Sequence, residues 1–143
     1  MMIAFDTNLL IYSSQPWYAE HHAARRAIAR AHADEHGWGI PLPCIAEFLS
    51  AVSHPASVGR PSTSGEAYEF LKSLVIETGA VVWLPSNGFW EKLTRMAADL
   101  QVAGSRIYDL QIALIAFENG ATEIWTHDRN FTRIPGLHVH DPL

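Results

Sequence analysis

The sequence predicts an α/β fold built on a mainly parallel sheet of about five strands. Two observations carry this. Short apolar runs of strand length alternate with longer segments of helical character along the whole chain. The 143 residues are 48% hydrophobic, enough for one core, and no repeat, linker or shift in composition divides them. Residues 1–143 are therefore read as a single domain.

Met2 to Phe5 is a short buried strand. Asp6-Thr7-Asn8 interrupts it, and apolar residues then resume at once. From Trp17 to about Asp34 the chain is Ala-rich and helical, with Pro16 placed to start the helix. A second strand centres on Ile40 in "GWGIPL" and is broken by Pro41 and Pro43. Pro43 opens a helix from Cys44 to about Ser53, where Ile45, Phe48, Leu49 and Val52 recur at helical spacing. His54 to Ser64 is dense in Pro, Gly and Ser and reads as a loop. Glu66 to Glu77 is a helix stopped near Gly79. "AVVWL" is the third strand, bounded by Pro85, after which Ser86 or Asn87 caps a helix running to about Val102 and ended by Gly104. Ile107 to Glu118 is apolar nearly all round and is predicted to be buried, with Asn119-Gly120 ending it. "EIWT" and "LHVH" supply the fourth and fifth strands.

Composition narrows the functional classes. Cys44 is the single cysteine, so no internal disulfide can form and a reducing compartment is expected. The first residues lack a basic segment followed by an apolar run, and no stretch approaches the ~18 uncharged apolar residues of a membrane span. The expectation is a soluble cytoplasmic protein with no membrane partner. A net charge of −5 argues at first against nucleic acid, whose phosphates need Lys and Arg. Set four acidic residues aside as metal ligands and the remainder carries only −1, with eight arginines still free to form a local basic patch.

Four carboxylates stand where ligands bind in open parallel sheets, outside the carboxyl ends of the strands. Asp6 follows strand one, and Glu47 lies in the first turns of the helix after strand two. Asp109 opens the apolar helix before strand four, and Asp128 follows strand four in "WTHDRNF". Each is read as lying in apolar company, and the neighbours of Glu47 on its helix (Pro43, Cys44, Ser50 and Ala51) leave room beside it. Converging buried carboxylates repel one another and cost several kcal/mol unless paired, roughly. A divalent cation resolves this, and hard oxygen donors without a thiolate cluster select Mg²⁺ or Mn²⁺, as one or two ions. Each acid also has a structural alternative. Asp6 can cap a helix, Asp109 gains from a helix dipole, and Asp128 fits a polar turn.

The chain resembles the PIN-domain ribonucleases, and in size and layout the VapC-type toxins of bacterial toxin–antitoxin pairs. The residues that carry the resemblance are "AFDTNLLIY", Glu47 in "CIAEFL", Asp109 in "YDLQIALIA" and the closing "THDRNF". They span the chain almost end to end. The resemblance implies an α/β/α sandwich, a cluster of Asp6, Glu47, Asp109 and Asp128 holding Mg²⁺ or Mn²⁺, and metal-dependent cleavage of RNA by in-line attack of an activated water. Asp6 and Asp109 are expected as central ligands, with Glu47 and Asp128 completing the sphere, binding a second ion or orienting the water. It further implies that Thr7, Asn8, Thr126 and Asn130 support the acids by hydrogen bonds. An antitoxin protein covering the site and a homodimer are expected on the same ground. Leu110, after the third acid, departs from the small residue usual there; the ligand itself is retained.

Arg129 and Arg106 are candidates for contact with RNA phosphates, and Arg133 also flanks the fourth acid. His22, Arg26 and Arg30 share one helix face, with Arg25 adjacent, and suit either RNA guidance or a solvated surface. Trp38, Trp83 and Trp125 are read as core, Trp17 and Trp90 as candidates for exposure. The eight histidines show no metal-ligand spacing, and "HVH" is read as strand. Cys44 is read as a small apolar packing residue. Two rival functions remain: a haloacid-dehalogenase-like phosphatase, whose second acid would fall at Asn8, and a non-catalytic RNA- or protein-binding module.

Overall fold

The computed structural model describes residues 2–143. Five strands, β1 (Ile3–Phe5), β2 (Trp38–Pro41), β3 (Val81–Trp83), β4 (Glu123–Trp125) and β5 (His138–His140), form one sheet in the order β3-β2-β1-β4-β5. Every pairing is parallel. Helices make the connections: α1 (Thr7–Ser14), α2 (His21–Ala33), α3 (Leu42–Ser53), α4 (Ser64–Thr78), α5 (Phe89–Leu100) and α6 (Arg106–Glu118). The architecture is the three-layer α/β/α sandwich that the sequence predicts.

The order places β1 at the centre, and all three of its residues are buried. The chain leaves β1 toward β2 on one side and later returns on the other side as β4. That reversal opens a crevice at the carboxyl ends of β1 and β4, where ligands bind in such sheets. Phe5 stacks between Trp38 and Trp125, with ring centroids 4.5 and 5.6 Å away, so large aromatics fill the sheet next to the crevice. Trp38, Trp83 and Trp125 are buried as predicted. Gly39 is required beside Trp83, because a Cβ there would run into the indole ring. Among the described residues no helix is long and apolar enough to cross a membrane.

Residues 7–14, to which the sequence pattern assigns no element, form α1. The segment is apolar on more than one side, with Leu9 and Leu10 both buried, so no amphipathic stripe marks it. α2 begins at His21 and not at Trp17. Tyr18 and His21 donate N–H bonds to Gln15 and Tyr18 carbonyls, so turns fill the expected first helical turn. α5 begins after Gly88, which takes a left-handed φ of 73°, and not after Ser86 or Asn87. Ser86 is diverted: its N–H and hydroxyl both donate to Glu118, at 2.7 and 2.8 Å. α4 starts two residues before Glu66, on a capping box between Thr63 and Glu66.

Candidate active site

Asp6 is the first residue past β1. Its N–H donates to the Trp125 carbonyl at 3.0 Å, which aligns it with the end of β4. The chain turns into α1 there, and Asp6 is the N-cap, with Oδ1 accepting from the Thr7 N–H at 2.8 Å. Oδ2 accepts from the Thr126 hydroxyl at 2.8 Å and from Asn8 Nδ2 at 3.4 Å. The capping bond and the bonds from Thr126 and Asn8 therefore go to different oxygens of one carboxylate. At 7% exposure Asp6 has lost most of its water. Burial raises its pKa from 3.8 to about 6, and the nearby carboxylates of Asp109 and Glu47 push the same way. The bonds from Thr126 and Thr7 oppose the rise.

Thr126 is the hub on the β4 side. While donating to Asp6, its oxygen accepts from Asn8 Nδ2 at 3.0 Å and from the Asp128 N–H at 3.1 Å. Asn8 Oδ1 in turn accepts from the His127 N–H at 3.1 Å. Thr7 bridges to the third element, its hydroxyl donating to Glu47 Oε2 at 2.8 Å. Asn130 reaches Asp128 through its backbone N–H, 2.9 Å from Oδ1. Cys44, fully buried beside Thr7, has its thiol pKa pushed up by burial and by the charge of Asp6, so it stays a neutral packing group.

Asp109 lies in the first turn of α6 and is half-buried. Burial raises its pKa, and the charges of Asp128 and Glu47 add to the rise; the Thr132 N–H and Arg106 oppose it. Asp6 thus feels the charges of Asp109 and Glu47, and Asp109 those of Asp128 and Glu47. They are not all buried, however: only Asp6 is, while Glu47 and Asp128 face solvent. The predicted desolvation of all four is corrected on this point. Glu47 projects from an exposed face of α3, and Asp128 sits in a turn.

Among the described residues, no three His, Cys, Asp or Glu side chains stand in a geometry that grips a metal ion by themselves. The donor set still fits a hard, partly hydrated cation. It consists of carboxylates alone, and Mg²⁺ keeps several waters while taking only one or two carboxylates directly. The Asp6 carboxylate, held neutral up to about pH 6, is a group that an adjacent cation would return to its charged form.

Beside Asp109 and Asp128 opens a cleft of about 810 Å³, lined also by Arg106, Arg129, Arg133 and Asn130. Both arginines proposed from sequence reach it, and Arg133 joins them. The face of α2 behaves otherwise. Arg25 donates to the Ser13 carbonyl at 3.4 Å, and Arg30 covers the Trp125 ring and donates to the Pro142 carbonyl. Trp17 and Trp90 are 37% and 68% exposed, as their positions suggested.

Sequence reasoning missed Thr132. Its N–H faces Asp109 and its hydroxyl donates to the Arg106 carbonyl at 3.3 Å, tying the segment after Asp128 to the start of α6. Its place just after "THDRNF" was the available signal.

With fold and site in view, the class is clear. The chain belongs to the PIN-domain family, whose model matches residues 3–137. That membership sets aside the phosphatase alternative, and Asn8, which would be its second acid, is instead an amide bonded to Asp6. Two ribonucleases of Mycobacterium tuberculosis resemble the chain over its length. Ribonuclease VapC43 is 28% identical over 142 residues, covering 99% of this chain and 96% of the relative. Ribonuclease VapC48 is 25% identical over 143 residues, covering 100% and 99%. Among solved structures, VapC20 of Mycobacterium tuberculosis, described as a Sarcin-Ricin loop cleaving toxin, shares the fold with a TM-score of 0.67. Its identity is 13%, over 90% of this chain and 92% of that one. VapBC2 from Rickettsia felis, solved bound to a DNA fragment from its promoter, has a TM-score of 0.64 at 18% identity, covering 99% and 98%.

Proposed function

We propose that this protein is a metal-dependent endoribonuclease and the toxin of a toxin–antitoxin pair. The observation that carries the reading is the convergence at the sheet's switch point of Asp6 and Asp109, with Glu47 acting on both and Asp128 on Asp109. Similarity along the whole chain to VapC ribonucleases supports the choice of RNA as substrate.

Asp6 and Asp109 would hold the Mg²⁺ or Mn²⁺ ion, with Glu47 and Asp128 as the further acids able to serve it. When bound, the ion supplies activation of water and neutralisation of charge on the phosphate under attack. The protein's part is to keep the acids still. Thr7 and Thr126 fix both oxygens of Asp6, and Thr7 also fixes Glu47. Thr132 and Arg106 steady Asp109. Arg106, Arg129 and Arg133 face the phosphates of the strand on the open side of the site, where charge and not sequence is read. The partner in this reading is a cognate antitoxin, in keeping with solved neighbours named as VapBC proteins, and it would cover this cleft in the inhibited state; the active form would be a homodimer.

The test is incubation of purified protein, freed of any partner, with total cellular RNA in Mg²⁺, Mn²⁺ or chelator. Discrete fragments that require metal and vanish in Asp6→Asn and Asp109→Asn are expected. Cleavage that persists in chelator, or in both variants, overturns the assignment.

A further inference from the structure

The two residues before the site's last acid, Thr126 and His127, bond to residues that lie beyond the family match, which ends at residue 137. β5 is an edge strand, paired only with β4. The pairing continues past β4, since the Thr126 N–H donates to the His140 carbonyl at 2.9 Å. One residue further on, His127 Nδ1 meets both oxygens of Asp141, at 2.9 and 3.1 Å. A carboxylate only accepts, so Nδ1 carries the hydrogen. Asp141 Oδ1 also accepts from the Leu143 N–H at 3.0 Å, and Arg30 holds the Pro142 carbonyl at 3.2 Å. Residues 140–143 are thus tied to the rest of the chain at three points, Thr126, His127 and Arg30.

His127 stands between Thr126, which holds Asp6, and Asp128 itself. Its backbone N–H is fixed by Asn8 and its ring by Asp141, with the Tyr12 ring edge-on at 6.0 Å. Loss of the ring's anchor leaves the turn that aims Asp128 to the Asn8 bond and to its own internal bonds, Asp128 N–H to Thr126 Oγ1 and Asn130 N–H to Asp128 Oδ1, none of which ties the His127 side chain to the C-terminal segment. We infer that Asp141 is a positioning residue of the active site, acting through His127 to hold Thr126 and Asp128 in register. It touches neither substrate nor metal. The effect on catalysis rests on the ribonuclease reading; the mechanical effect does not.

The experiment compares Asp141→Ala, Asp141→Asn, His127→Ala and the Asp141→Ala/His127→Ala double variant in the full chain. The first readout is native-state amide hydrogen exchange without metal. In Asp141→Ala, exchange at the Asp128 amide accelerates about tenfold, as for loss of one hydrogen bond. Amides of β2 exchange as in wild type, and Asp141→Asn, which keeps an acceptor for Nδ1, restores most of the protection. The second readout is cleavage of an RNA that the wild type cuts. There kcat falls about tenfold, the low end for loss of a supporting hydrogen bond at a metal site, with KM unchanged. The double variant is no worse than either single variant. Unchanged exchange at Asp128, acceleration spread equally through the sheet, or equal damage from Ala and Asn each overturns the inference. If the wild type cleaves no RNA, the ribonuclease reading falls and the exchange data alone decide the role of Asp141.

Discussion

Asp6 and Asp128 follow neighbouring parallel strands, yet they stand in different physical environments. The inner half of the site, Asp6 with Thr7, Asn8 and Thr126, is closed off from water and tied at almost every polar atom. Its carboxylate pays for burial with a pKa near 6. The outer half, Asp109 and Asp128 with Arg106, Arg129 and Arg133, opens on the cleft and is wet. Geometry is enforced in the first half, and charge is displayed in the second. Substitutions in the two halves should therefore fail in different ways.

The largest effect is expected at Asp6. Asp6→Asn lowers cleavage by more than about 100-fold, beyond the range for a supporting contact at a metal site. The same variant should melt higher than wild type in chelator at pH 7.5, because a charge that the fold disfavours is gone; a lower melting temperature would contradict this. Thr126→Val comes next. It leaves Asp6 without its hydroxyl donor and the Asp128 amide without an acceptor, and Asn8 Nδ2 with only the longer bond to Asp6. The expected loss is about 1–3 kcal/mol of stability, measured by urea unfolding, and a fall mainly in kcat.

The inner half also predicts a pH dependence. A carboxyl whose folded pKa exceeds its unfolded value holds its proton more tightly in the fold. Below about pH 4 both states are protonated, and Asp6 costs nothing. Between 3.8 and about 6 the unfolded chain ionises first, so metal-free stability falls as pH rises. Above that window the full penalty of about 3 kcal/mol is in place. Asp6→Asn should remove this slope. Wild-type and variant curves that run parallel from pH 4 to 7 would place the ionisation elsewhere.

The smallest effects belong to the outer arginines. Arg129→Gln and Arg133→Gln should each raise KM for RNA with kcat unchanged, and reduce the salt slope of binding by about one. A fall in kcat alone would mean that they act on the acids and not on phosphate.

The two halves were also unequally legible in the sequence. Asp6, Asp109 and Asp128 each have a structural use of their own, as cap, helix-start acid and turn residue; what makes them legible is that all three fall together at the carboxyl ends of the parallel strands. The alternation of strands and helices is also legible, since each period follows from burial of one face. α1 is not, because a short helix buried on several sides shows no stripe. Exposure of Glu47 is also hidden, since spacing along α3 does not say which face meets the sheet. The start of α5 depends on Ser86 being captured by Glu118, and the turn at His127 on Asp141. Both partners are distant in sequence and adjacent only once the sheet has formed. Thr63 and Glu66, three residues apart, show the opposite limit: a capping box is local and can be read directly.

In the proposed reading the buried carboxylate of Asp6 and the half-buried one of Asp109 form a cation site. Calorimetric titration of Mg²⁺ and Mn²⁺ into metal-free protein at pH 7.5 and pH 5 tests it most directly, with Asp6→Asn and Asp109→Asn alongside. Binding is expected at pH 7.5, weaker at pH 5 as Asp6 takes up its proton, and lost in both variants. Binding that is equally tight at both pH values and survives in both variants would contradict it.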